Sequence, residues 1–275
     1  MPSDPLPFDP RRFRTAAPHY RAGRAPYPPG LIRRVAAAVG LGDEHRVLDL
    51  GCGPGQLAIG FGYFAGEVLG LDPEPEMLAA AAEAAQGLAP NVHFRPGSSY
   101  SLDPELGRFR LVTMGRSFHW MDRAATLDRL DRMIEQGGAV ALFHDRHVDV
   151  PENAWRRQWQ EITERYAGDD AVRRRRRDGT WLPHESLLLA SAFNRLETVS
   201  VMARQISPAE SLVKRALSMS SLSPSRLGEA TERLVQELRA LLAEVAPEGM
   251  ATEILEWSAL IARRGGERAA PRRPD

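Results

Sequence analysis

Val47-Leu48-Asp49-Leu50-Gly51-Cys52-Gly53-Pro54-Gly55-Gln56 is an apolar strand that ends in an acid and turns through glycines spaced Gly-x-Gly-x-Gly. A turn this tight needs residues without Cβ atoms, so that backbone N–H groups can approach a ligand closely. The helix predicted from about Gln56 aims its positive end at the same point. Twenty-one residues beyond Gly51, the apolar run Val68-Leu69-Gly70-Leu71 ends in Asp72. That spacing sets a carboxylate against ribose hydroxyls in nucleotide-binding βαβ units. The pattern is that of an adenosine half-site. A dinucleotide fingerprint would read Gly-x-Gly-x-x-Gly, and its third glycine falls on Gln56 here. This weighs against a nicotinamide-dependent oxidoreductase, although that class shares the βαβ-plus-aspartate logic.

Outward from this stretch, strands are predicted near 46–50, 67–71, 92–95, 110–115 and 138–144, with helices between them. Such alternation builds a parallel, doubly wound sheet. Residues 1–30 are rich in Pro and Arg and lack periodicity until a short amphipathic helix from Leu31 to Val39. The alanine-dense stretch 74–86 is a helix with Glu74 and Glu76 in its first turn, where acids complement the dipole. Beyond His144 the pattern changes. Pro151 to Ala167 reads as a helix carrying Trp155 and Trp159, followed by a polar linker with Arg173 to Arg177, a short helix from Leu187 to Phe193, and a strand from Leu196 to Ile206. A helical hairpin then runs from Ser207 to about Val245, and Glu253 to Arg263 fits a last strand. One domain over 1–264 is expected, divided into an N-terminal cap segment (1–40), a ligand-binding core (41–150), a helix, linker and strand (151–206), a helical cap (207–247) and the last strand (248–264). The Arg-, Pro- and Ala-rich tail 265–275 has the composition of a disordered segment.

The chain resembles class I S-adenosylmethionine-dependent methyltransferases, especially the small-molecule branch that includes the ubiquinone/menaquinone and trans-aconitate enzymes. The resemblance rests on five segments in order. They are the glycine turn, Gly70-Leu71-Asp72-Pro73-Glu74-Pro75-Glu76-Met77-Leu78, Asn91 to Ser99, Leu111 to Trp120 with its Phe-His-Trp ending, and Gln136 to Leu142. A sixth likeness is the N-terminal segment Phe13 to Pro28, with its Tyr20, Arg24 and Tyr27. The implied fold is α/β, a Rossmann-like seven-stranded, mostly parallel sheet with an antiparallel last strand and a helical cap. The implied cofactor is S-adenosylmethionine, with S-adenosylhomocysteine as product.

By this resemblance Gly51, Gly53, Gly55 and Gln56 pack beneath the methionine arm, and Asp49 holds the amino group or orients the loop, with capping of the turn as its structural alternative. Asp72 binds the ribose hydroxyls. Pro73 and Met77 line the adenine, and Ser98 and Ser99 either contact its edge or form an ordinary loop. Tyr20 and Arg24 meet the cofactor's carboxylate, for which a guanidinium fork is suited, and Gly115 and Arg116 border the sulfonium. Tyr27, Phe118, Trp120, Asp145, Trp155 and Trp181 are expected on the acceptor side. His119 and His144 are the candidate general bases, since an ordinary imidazole accepts a proton near neutral pH. Each is equally readable as a hydrogen-bonded structural histidine, and many methyl transfers use no base.

Composition narrows the partners. Lys plus Arg and Asp plus Glu both total 36, so no global field favours nucleic acid or a membrane. No apolar run approaches the ~20 residues of a membrane span, no signal-peptide pattern is visible, and the single cysteine, Cys52, fits a reducing cytoplasm. Lys214 is the one lysine, so arginine abundance reflects coding bias and tempers arguments from any single arginine. Arg173 to Arg177 reads as a solvated loop, without the interleaved aromatics of an RNA site. No metal is called for; His144-x-x-His147 is the nearest candidate pair. The acceptor is expected to be a small molecule of specialised, antibiotic-like metabolism, methylated on N or O. A sugar or aminosugar is the expected example, and the acids Asp145, Asp149, Glu152 and Glu185 would suit a cationic acceptor. Carboxyl- or C-methylation of a small acid or quinone precursor is the alternative, and a non-catalytic cofactor-binding protein is the remaining class. The oligomeric state is open.

Overall fold

The computed structural model describes residues 8–169 and 171–265. The segments β1 (Arg46–Leu50), β2 (Glu67–Asp72), β3 (Val92–Pro96), β4 (Phe109–Gly115), β5 (Ile134–His147), β6 (Arg195–Pro208) and β7 (Met250–Arg263) form one seven-stranded sheet in the order β3-β2-β1-β4-β5-β7-β6. β7 runs antiparallel to both neighbours, and the other six strands share one direction. In β1 and β2 every residue after the first is buried, as expected of central parallel strands covered on both faces.

The covering helices come in chain order. They are α1 (Ala17–Gly23), α2 (Pro29–Val39), α3 (Gln56–Phe61), α4 (Pro75–Ala85), α5 (Arg123–Met133), α6 (Arg156–Tyr166), α7 (Ala171–Arg177), α8 (His184–Ala190), α9 (Ala209–Leu217), α10 (Pro224–Leu227) and α11 (Ala230–Val245). α2 and α3 cover one face, where Leu31, Val35, Leu57 and Phe61 pack against Val47, Leu111 and Ile261. α5 and α8 cover the other, through Leu127, Leu130 and Leu188 on Leu48, Val112 and Val140. A third core lies in the cap, where Trp159 packs with Leu212, Leu217, Leu234 and Leu238.

The departures from expectation lie outside the nucleotide-binding half. α1 forms in a stretch with no helical periodicity, because its partner is α9 of the cap rather than the sheet. β5 continues past His144 to His147, since β7 pairs with that polar segment from Leu255 to Ser258. α6 begins only at Arg156, after a short 3₁₀ turn over Pro151–Asn153. The short helix expected at 187–193 starts earlier, at His184. The arginine run is helix α7 rather than a loop. Arg is a good helix former, and Asp169 takes Arg174 at 2.9 Å and Arg177 at 3.4 Å while Glu164 pairs with Arg173, relieving the like-charge repulsion. Most of the tail expected to be disordered, 266–275, lies outside the described residues, as do residues 1–7.

Candidate active site

At the carboxyl edge of the sheet, strand order reverses between β1 and β4, which in open α/β sheets is where ligands bind. Three adjoining cavities open there. The first is lined by Gly51, Gly53, Asp72, Pro73, Met77, Ser98, Ser99 and Gly115. Gly51 has φ +70°, and a Cβ on it would lie 2.6 Å from Cβ of Ser117, so only glycine lets the turns after β1 and β4 touch. Gly53 has φ +51°, and a Cβ there would meet no atom nearer than Sδ of Met77 at 4.0 Å. Its vacant side faces the cavity. Asp72 is 8% exposed, and each carboxylate oxygen accepts one backbone N–H, from Gly53 at 2.8 Å and Glu74 at 2.9 Å. Burial raises its carboxyl above the ordinary range against these two bonds. Ser98 caps a 3₁₀ turn, its Oγ accepting from Tyr100 N, so the two serines are held by local bonds as well as lining the cavity.

The chain before α1 lies across this cavity. Phe8 packs against Tyr100 with centroids 4.8 Å apart, Phe13 meets the edge of Trp120 at 5.9 Å, and Arg11 bridges Glu74 at 2.9 Å and Glu76 at 2.7 Å. Glu74 is pushed up to about 7, chiefly by burial and then by Glu76. A single N-terminal sequence gives no cue to these contacts.

The second cavity runs beside the glycine turn and is lined by Tyr20, Tyr27, Asp49, Cys52, Gln56 and Arg116, among others. Asp49 is 1% exposed. Its Oδ2 accepts from Ala58 N at 3.0 Å and its Oδ1 from Thr113 Oγ1 at 2.9 Å, so it ties the start of α3 to β4. Burial pushes its carboxyl up to about 7 despite both bonds. Gly55 does not line these cavities: a Cβ there would meet Phe94 at 2.9 Å, so it serves the packing of α3. Tyr27, expected on the acceptor side, belongs here instead. Its ring lies edge-on to Phe143 at 5.5 Å and beneath the Arg116 guanidinium at 4.6 Å, and its Oη is buried without a hydrogen-bond partner.

The third cavity, about 540 Å³, sits under the helical cap. Phe118, His119, Trp120, His144 and Asp145 line it, joined by Arg24, by Arg173 and Arg176 of α7, and by Met219, Ser220 and Ser221 of the cap. Arg24, expected at the cofactor, is here, its Nε donating to Ser218 Oγ at 2.8 Å. Asp145 accepts from Arg116 Nε at 2.5 Å, and Arg116 Nη2 donates to Ala25 O. Arg116 is non-glycine with φ +57°, a strained conformation that turns β4 toward all three cavities. Trp181 stands behind the wall, 3.9 Å from the Arg123 guanidinium and 5.3 Å from that of Arg176. Trp155 is not in the chamber lining. Its Nε1 donates to Thr252 O, and it packs with the cap core.

His119 is pushed down to about 3, by burial first and then by His184, Arg176, Arg24 and Arg123. A base that weak takes little part in proton transfer at neutral pH. His144 is exposed, its Nε2 2.9 Å from Ser258 Oγ. His147 is not beside it but pairs with Glu253 at 2.7 Å. Among the described residues no group of three or more His, Cys, Asp or Glu is placed to hold a metal.

The sequence family described as "Methyltransferase domain" matches residues 47–138, which carry the glycine turn, Asp72 and the end of β4. Residues 47–138 bear the methyltransferase-domain signature on a class I methyltransferase fold. An uncharacterized methyltransferase of Schizosaccharomyces pombe is 36% identical over 105 residues, 34% of this chain and 38% of that one. The matches span half or less of the lengths of the first curated relatives. Among solved structures, a SAM-dependent methyltransferase from Thiobacillus denitrificans in complex with S-adenosyl-L-homocysteine superposes with TM-score 0.51 at 20% identity, covering 94% of this chain and 99% of that one. The [4+2]-cyclase SpnF superposes with TM-score 0.54 at 18% identity, covering 94% and 98%. Methyltransferase architecture therefore does not by itself fix the reaction.

Proposed function

We propose that the protein transfers the methyl group of S-adenosylmethionine to a small molecule bound under the helical cap. The observation that carries this reading is the meeting of the cavity at the glycine turn and Asp72 with a capped chamber at Tyr20 and Arg116, which line both. Three features fit the cofactor. Asp72 has lone pairs left for ribose hydroxyls after its two backbone bonds, since a carboxylate offers about four acceptor sites. Gly53 leaves its Cβ space open. Tyr27 Oη is a buried hydroxyl awaiting a partner in the arm cavity.

The cofactor supplies an activated methyl on its sulfonium. The chain supplies position: Tyr20, Arg116 and Trp120 bound the passage between the cavities, and the strap from Phe8 to Phe13 with the cap keeps water out. Orientation of this kind accounts for roughly 7–11 kcal/mol in well-aligned systems. With His119 held neutral and weakly basic, His144 is the candidate base left in the lining, and a nucleophile that arrives already ionised needs only proximity. A cationic aminosugar is poorly served: Asp145 is spent on Arg116, Glu152 faces Arg204 on the surface, and Asp149 is not in the lining, leaving Glu185. Specialised metabolism and a cytoplasmic location remain inferences from composition; among the described residues no helix is long and apolar enough to cross a membrane.

Labelled-methyl transfer from S-adenosylmethionine to panels of amines, phenols and acids tests the reading. Transfer to any of these in the wild type, lost in Asp72→Ala, supports it; no transfer from a protein that fails to bind S-adenosylhomocysteine overturns it.

A further inference from the structure

We propose that the capped chamber takes an acceptor carrying an oxyanion, a carboxylate or phosphate group, and that Arg24 and Arg176 hold that group. The methyl-transfer step rests on the function proposed above; the binding does not. Four arginines and two acids line the chamber: Arg24, Arg116, Arg173 and Arg176 against Asp145 and Glu185. Arg116 is neutralised by Asp145 at 2.5 Å, and Arg173 by Glu164. Arg24 and Arg176 make no ion pair with any carboxylate among the described residues. Arg24 is half-buried, and its polar bond is to a neutral hydroxyl, Ser218 Oγ at 2.8 Å. Arg176 is held by its stacking on Trp181 at 5.3 Å. Against these two free guanidiniums stands one acid, the exposed Glu185 at the start of α8.

A cation withdrawn from water without a counter-charge is costly, and burial lowers Arg24's affinity for its own proton. A bound oxyanion would remove that cost, and the planar guanidinium fork matches carboxylate and phosphate oxygens two at a time. The acid whose charge reaches Arg24, Asp145, is taken up by Arg116, and Glu253 is taken up by Arg215, His147 and Ser207. Arg176, Arg24 and Arg123 are among the groups that lower His119, after burial and His184, in keeping with guanidiniums outnumbering acids in the lining. A positive concave site raises the local concentration of anions and steers them in. Neutral net charge over the whole chain hides this local excess.

The test is calorimetric titration of succinate, methyl phosphate and the neutral match succinamide into the full-length protein, with and without S-adenosylhomocysteine. Arg24→Gln, Arg176→Gln and, as an outside control, Arg239→Gln are titrated alongside; Arg239 pairs with Glu210 on the cap's outer surface. The expected result is binding of succinate or methyl phosphate but not succinamide, weakened by salt and about tenfold or more weaker in both chamber variants, as for a charged hydrogen bond lost, with Arg239→Gln unchanged. Preference between the two acids tells carboxylate from phosphate. Binding of succinamide equal to succinate, acid binding indifferent to both substitutions, or no acid binding at all overturns the proposal. Arg176 is exposed on a surface helix, so its variant remains readable if Arg24→Gln does not fold. Acid binding that depends on these arginines in a protein indifferent to S-adenosylhomocysteine would sink the methyl-transfer reading and leave this one standing.

Discussion

The cofactor half and the acceptor half of the molecule are built by different means. Around the cofactor cavity, beneath the N-terminal residues Phe8 to Tyr20 and Tyr27, much of the lining comes in short pieces near Gly51 to Gly53, Asp72 to Glu74, Ser98 to Tyr100 and Gly115 to Ser117, each at the carboxyl end of a parallel strand. Local backbone geometry shapes those pieces, and adjacent strands place them. The acceptor chamber draws on Phe13, Arg24, Arg176, His184 and Ser221, joined by contacts such as Arg24 to Ser218, 194 residues apart. Its shape depends on the cap being docked. The hub of that docking is Arg215, whose Nη2 and Nη1 donate to Glu253 at 3.0 and 2.5 Å and whose Nε donates to Gly23 O, so one side chain joins α9, β7 and α1. The first half is robust to change at a distance; the second stands or falls with a few buried links.

The sharpest way to break that contrast is Arg215→Ala. It leaves Glu253, fully buried, without its arginine and held only by His147 and Ser207, and the expected loss is about 3–5 kcal/mol of unfolding free energy by denaturant titration. S-adenosylhomocysteine affinity of the folded fraction should change little, because the glycine turn and Asp72 hang on the sheet. A large loss of affinity would mean that the halves are not separable. The same buried pair sets the acid limit. Burial alone would raise the Glu253 carboxyl, but His147, Arg215 and Ser207 hold it at about 2. Its contribution is therefore present above the ordinary carboxylate range and is lost as pH falls toward 2. Acid unfolding should begin in the cap, visible as early exposure of Trp159 in fluorescence.

A smaller effect is expected on the cofactor side. Tyr27→Phe removes a buried hydroxyl that has no partner, so the ligand-free protein should be equally or slightly more stable, by up to about 1 kcal/mol. Cofactor affinity should fall about three- to tenfold if that hydroxyl meets the methionine arm. Lower stability with unchanged affinity would remove Tyr27 from the site. Smallest is Asp49→Asn. With its folded carboxyl near 7, above the unfolded value, Asp49 favours folding most at low pH, and that contribution fades as pH climbs through about 7. The amide should flatten the fall of Tm between those limits. An unchanged slope would mean that Asp49 stays ionised in the fold.

The contrast also governs what the sequence could reveal. Gly51, Gly53 and Asp72 were legible because a turn without Cβ atoms and an acid at a strand end are local requirements with local signatures. The sheet followed from alternation, and the antiparallel strand and cap from the resemblance. Arg24 and Tyr27 were legible as a pair but not as individuals. They lie three residues apart where α1 ends, and which faces the arm cavity and which the chamber depends on α9, far along the chain. The arginine run carries no local sign of helix, because the acids that let it coil, Asp169 and Glu164, act through the fold. Trp155 was an aromatic in the right region whose indole bonds the backbone of β7 instead. The strap contacts of Phe8 and Arg11 had no signature.

The most direct test is isothermal titration of S-adenosylhomocysteine into the wild type and Asp72→Ala, with NADH as control ligand. Micromolar binding to the wild type, about tenfold or more weaker in the variant as expected for lost charged hydrogen bonds, and no NADH binding is the predicted result. NADH binding in place of S-adenosylhomocysteine, or equal S-adenosylhomocysteine affinity in both proteins, would contradict it.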